Sequence, residues 1–82
     1  METMNSTGIR FDYSKLRGKT AEMGKTDREV ALAAKMTPST YSLKLNGKGV
    51  FTQEQICNVC EFLGIEMRDV SLYFFNCAVQ LN

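Results

Sequence analysis

The sequence predicts an all-α fold, a compact bundle of about five short helices with a helix-turn-helix at its centre. Three observations predict it. Apolar stripes at helical spacing begin at capping boxes, with Thr26 followed by Glu29 and Thr52 followed by Gln55. Glycines stand where helical stretches should stop, at Gly24, Gly47 and Gly64. The 82 residues contain a single proline, which leaves little room for a sandwich full of turns. A chain of this length supports one small domain with one core.

Residues 1–8, METMNSTG, are small, polar and without period, and are expected to form a flexible arm. The helix-turn-helix domain is expected over 9–75, and a C-terminal tail over 76–82. The first helix starts at FDYSKL, with Asp12 as its N-cap and Phe11 and Leu16 at the two positions of a hydrophobic staple. It runs to about Met23, turning Leu16, Thr20 and Met23 inward.

The second helix starts at the Thr26–Glu29 box and places Val30, Ala31 and Ala34 on one face, with Met36 after the turn. Its small alanines allow a neighbouring helix to come close. The third begins with Thr37 as cap and Pro38 in its first turn, and ends near Asn46. The fourth follows the Thr52–Gln55 box and carries Ile56, Val59, Cys60 and Leu63 on one stripe. MRDVSLYFF, from Met67 to about Phe75, suits a fifth short helix. The tail SLYFFNCAVQL, aromatic and β-branched, equally suits an edge strand.

Composition narrows the function. Hydrophobic residues make up 44% and charged residues 23%, as in soluble globular chains. No apolar run approaches the roughly eighteen residues of a membrane span, so neither a span nor a signal peptide is expected and the location should be cytoplasmic. Histidine is absent, which excludes histidine acid–base chemistry and histidine metal ligands. Cys57, Cys60 and Cys77 are three thiols without the spacing of a disulfide framework. CNVC at 57–60 lacks partners for a four-ligand metal site, and Cys60 lies on the apolar stripe, so packing is its expected role. No nucleophile with a base and no phosphate loop is present. The chain is therefore read as a non-enzyme, without cofactor, metal or small-molecule substrate.

The net charge of +1 conceals an uneven distribution. Residues 10–50 carry nine Lys and Arg against four acids, a local charge of +5. Residues 51–82 carry Arg68 against four acids, a local charge of −3. A basic half that contains the helix pair favours a polyanion such as double-stranded DNA.

The stretch TDREVALAAKMTPSTYSLKLNGKGVFTQEQICNVCEFLGI resembles the lambda-repressor-like helix-turn-helix family, the Cro and C1-type domains. With FDYSKLRGK before it and YFF after it, it is similar to small phage-encoded Cro-like regulators. The resemblance implies a transcriptional regulator, a repressor of phage or prophage origin, whose helix 37–46 enters the major groove of an operator. It turns Thr37, Pro38, Ser39, Ser42 and Leu43 toward the bases, buries Tyr41, and runs Asn46, Gly47 and Lys48 beside a phosphate strand.

Direct readout usually relies on Arg for guanine and Asn or Gln for adenine. The hydroxyls of Thr37, Ser39 and Ser42, with Pro38 and Leu43 for thymine methyls, predict only modest base specificity. Phosphate contacts are expected from Lys25, Arg28, Lys35, Lys44, Asn46 and Lys48, whereas Lys15, Arg17 and Lys19 are expected to be ordinary surface charge.

Three positions depart from the family. Lys35 replaces the turn glycine, which predicts a wider turn. Asp27 replaces a glutamine that touches phosphate. Lys44 stands where an apolar residue is buried, so either the helix is rotated or the lysine stem lies on the core. The aromatic end holds more apolar surface than a small domain easily hides, and Tyr73, Phe74, Phe75 and Val79 are expected at a homodimer interface. The alternative reading is a protein-interaction module that binds and modulates a partner repressor, which an exposed Leu43 suits.

Overall fold

The computed structural model of the chain describes residues 9–79. The expected arm over 1–8 and the end of the tail, 80–82, lie outside these residues, as does the side chain of Val79. In chain order the elements are β1 (Ile9–Phe11), α1 (Ser14–Glu22), α2 (Asp27–Ala33), α3 (Pro38–Leu45), α4 (Gln53–Leu63), a 3-10 turn (Met67–Asp69), α5 (Val70–Phe74) and β2 (Cys77–Val79). This is the five-helix bundle, with α2 and α3 as its helix-turn-helix. It carries one addition. β1 and β2 pair antiparallel, with Ile9 opposite Val79 and Phe11 opposite Cys77. The two readings open for the aromatic end both apply, to successive pieces of it.

Local chemistry sets most of the helix ends. In both capping boxes the threonine and its partner exchange hydrogen bonds. Thr26 N–H donates to Glu29 Oε1 at 2.8 Å, and Glu29 N–H donates to Thr26 Oγ1 at 3.1 Å. Thr52 N–H donates to Gln55 Oε1 at 2.9 Å, and Gln55 N–H donates to Thr52 Oγ1 at 3.1 Å. Asp12 accepts from Ser14 N–H at 2.8 Å, and this bond holds its carboxyl below the usual carboxylate value.

The expected staple does not form. Phe11 belongs to β1 and sets its ring edge-on to Phe75, at 6.1 Å between centroids. Tyr13, 6% exposed, fills the core place beside Leu16 instead. Met23, expected inward, is exposed, because α1 stops at Glu22 and the chain turns away there.

The turn between α2 and α3 is not widened. Lys35 itself adopts the left-handed conformation, with φ 61°. Its N–H donates to Leu32 O at 3.0 Å, and Met36 N–H donates to Ala31 O at 2.8 Å. The same pair of bonds ends α3 at Gly47, where Gly47 N–H reaches Lys44 O and Lys48 N–H reaches Leu43 O. A non-glycine residue at this position costs roughly 1–2 kcal/mol, and burial of the following Met36 offsets part of it.

Val30, Ala31, Ala34 and Met36 are buried as expected, and α2 packs on both α3 and α4. On α4, Val59, Cys60 and Leu63 are fully buried, while Cys57 faces solvent. Burial, with Cys57 as the lesser cause, pushes the Cys60 thiol up to about 11, so it stays a protonated packing group.

Candidate functional site

The candidate site is the outward face of α2 and α3. Thr37 sets the start of α3, its Oγ1 accepting from Thr40 N–H at 3.1 Å and donating to Thr40 Oγ1 at 3.0 Å. That hydroxyl is already employed as the cap. Ser39, Ser42 and Leu43 are exposed and Pro38 is half-buried, so four of the five expected readers face outward with free side chains or nearly so. Leu43 is 51% exposed in the last turn of the helix. Leu32 on α2 is 56% exposed, a second large apolar residue on the motif. Sequence reasoning passed it over, although its position off the Val30–Ala31–Ala34 face was the available signal.

The expected phosphate ligands divide into two groups. Arg28, Lys35 and Lys48 are exposed. Lys44 is drawn onto the protein, its Nζ donating to Val50 O and lying 6.0 Å from the Phe51 ring centroid. Of the two readings for this lysine, the stem laid over the core is the observed one. Lys25 is half-buried with its Nζ 5.1 Å above the Phe62 ring. Both ammonium groups are engaged within the chain. Asn46 is exposed, and its Oδ1 accepts from Arg17 Nη2 at 3.2 Å. Arg17, expected to be ordinary surface charge, thus joins α1 to the end of α3, and nothing in the local sequence announces that.

Tyr41 is 1% exposed and anchors α3 to the core, edge-on to Phe51 at 5.9 Å. Its hydroxyl is buried without a hydrogen-bond partner among the described residues. Burial, with the Asp27 carboxylate as the lesser cause, pushes its pKa up to about 12. Folding therefore favours the neutral phenol. That contribution is complete below the ordinary value of 10.0 and is lost as the pH rises toward 12. Tyr41→Phe is expected to leave stability at neutral pH unchanged or raise it by up to about 1 kcal/mol. It should also reduce the loss of stability on the alkaline side, as urea titrations at neutral and high pH will measure.

The expected dimer residues are scattered. Tyr73 is half-buried, Phe75 is 52% exposed, and Phe74, 2% exposed, is a core residue with no face for a partner. No helix among the described residues is long and apolar enough to cross a membrane.

The chain matches no curated protein. It is similar to the modulator of repression (MOR) of the temperate bacteriophage TP901-1 from Lactococcus lactis, whose solution structure superposes with a TM-score of 0.67. The two are 36% identical, over 80% of this chain and 89% of that one. A family model described as "Protein of unknown function (DUF739)" matches residues 9–77, nearly all of the described residues, and the chain belongs to that family.

Proposed function

We propose that the chain is a small regulatory protein that binds a partner repressor through the exposed face of α2 and α3, and so changes how the repressor occupies its operator. Leu43 carries this reading. It holds a large apolar side chain half out in water on the exposed face of α3, where a reader of bases holds Arg, Asn or Gln. Leu32 on α2 is a second leucine left largely in water. Covering two leucines with another protein gains the full benefit of burial, whereas a DNA groove offers them only thymine methyls. The likeness to a modulator of repression supports the same reading.

A second reading, a Cro-like DNA-binding regulator, is favoured by the exposed Arg28, Lys35 and Lys48 around the same helix. One experiment separates the two. The chain is mixed with a candidate repressor, sought among the genes around its own, and run on gel filtration. It is also titrated alone against an operator fragment at two salt concentrations. The first reading expects a stoichiometric complex that survives high salt. Binding to DNA alone, falling steeply with salt, with a slope reduced by about one in Lys48→Ala and no complex with the repressor, decides for the second.

A further inference from the structure

Gly18 has no role that the described residues explain. It lies inside α1, and glycine is among the poorest residues for a helix interior. The four other described glycines, Gly24, Gly47, Gly49 and Gly64, all adopt positive φ, and Gly18 does not. A Cβ built on it meets no atom within 4 Å. A local rule broken without internal benefit points to something outside the chain. Gly18 also lies in a groove of about 350 Å³ between α1 and α5, lined by Lys15, Gly18, Lys19, Glu22, Leu72 and Tyr73. Leu72 is 51% exposed beside it.

Two of the groove's three charges, Lys15 and Glu22, are self-complementary, while the third, Lys19, has a side chain only 20% exposed and 3.9 Å from Glu22 of its own chain. Lys15, Gly18, Lys19 and Glu22 share one face of α1 at successive turns. When two such helices cross antiparallel about a point between residues 18 and 19, Lys15 of each lies opposite Glu22 of the other. Glu22 is available for this. Among the described residues it has only a long contact to Lys19, at 3.9 Å, and its side chain is 69% exposed. We infer that this groove is the interface of a two-fold homodimer, in which the α1 helices of two copies cross closely at Gly18. Lys15 and Glu22 pair across the axis twice, and Leu72 of each copy covers the flank.

A two-fold contact of this kind is isologous and closed, so it ends at the dimer. It uses no residue of α2 or α3 and does not depend on the repressor-binding reading. It also differs from an interface at the Phe11–Phe75 end, where the apolar cleft has no charge pattern to select its occupant.

Sedimentation equilibrium tests it. The wild-type chain should dimerise reversibly. Lys15→Glu and Glu22→Lys should each weaken the dimer by more than about tenfold, since each turns two attractions into repulsions. An equimolar mixture of those two variants should form a heterodimer, because both cross-axis pairs are then opposite in sign. Gly18→Leu should remove the dimer by blocking the close crossing, while improved helix propensity keeps the melting temperature from falling. A wild-type chain that stays monomeric up to millimolar concentration overturns the proposal. So does a dimer indifferent to Gly18→Leu, or a mixture that fails to recover association. A monomeric wild type whose Lys15→Glu variant loses the repressor gives the groove to that protein and overturns it as well.

Discussion

Phe74→Ala is expected to cost about 3–5 kcal/mol, a large share of the chain's stability, whereas Phe75→Ala, one residue further on, is expected to change it by less than about 1 kcal/mol. Phe74 is 2% exposed and meets Phe51 edge-on at 5.3 Å and Tyr13 at 6.5 Å. Phe51 in turn meets Tyr13 at 5.4 Å and Tyr41 at 5.9 Å. Four rings from four parts of the chain therefore close the core together, and truncating the innermost leaves a cavity that helical neighbours cannot collapse into. Removing a buried Phe side chain costs about 3–5 kcal/mol. A domain of this size has only about 4–12 kcal/mol in total. Phe75 is half in water and loses little. Urea unfolding followed by circular dichroism measures both. Equal effects of the two substitutions would refute the assignment of Phe74 to the core.

The second large effect is expected at Leu43. Leu43→Lys should reduce affinity for the partner repressor by about thirtyfold to a thousandfold, corresponding to about 2–4 kcal/mol. The lost burial of an aliphatic side chain supplies roughly half of this, and an ammonium left unpaired at the contact supplies the remainder. Lysine is as good a helix former as leucine and the position faces solvent, so the fold should be unaffected. The choice of lysine separates the two readings. An added positive charge on α3 leaves binding to DNA unchanged or strengthens it. Titration calorimetry against the repressor and an operator titration of the same variant give the answer. Loss of DNA affinity with unchanged repressor affinity would reverse the proposed order of the two readings.

The parts of the fold that could be read from sequence are those fixed within four or five residues. Thr26 with Glu29, and Thr52 with Gln55, announce helix starts because a capping box is a local exchange of hydrogen bonds. The Val59–Cys60–Leu63 stripe is legible for the same reason. Phe11 misleads because its fate is set by Cys77, its strand partner at the far end of the chain. Met23 misleads because the periodicity continues one residue beyond the helix.

At the candidate site, the outward placement of Ser39, Ser42 and Leu43 follows from burial of Tyr41 on the opposite face. Which cations remain free does not follow. Lys44 and Lys25 are captured by Val50, Phe51 and Phe62, whose nearness is a tertiary fact. Lys35 shows a further limit. Propensity argues against a left-handed lysine, and burial of Met36 next to it offsets part of that preference.

The β1–β2 ribbon has a kinetic consequence. It joins residues 9–11 to residues 77–79, and every helix among the described residues lies within the loop that it closes. The loss of chain freedom on closing such a loop grows with its length, so the ribbon gains most once the intervening helices have already packed. The α2–α3 and α2–α4 contacts join near neighbours and need no such closure. The helix-turn-helix is thus placed to assemble early and the ribbon to lock last. Opening should run in reverse, with the strands parting while the face that carries Leu32 and Leu43 is still intact.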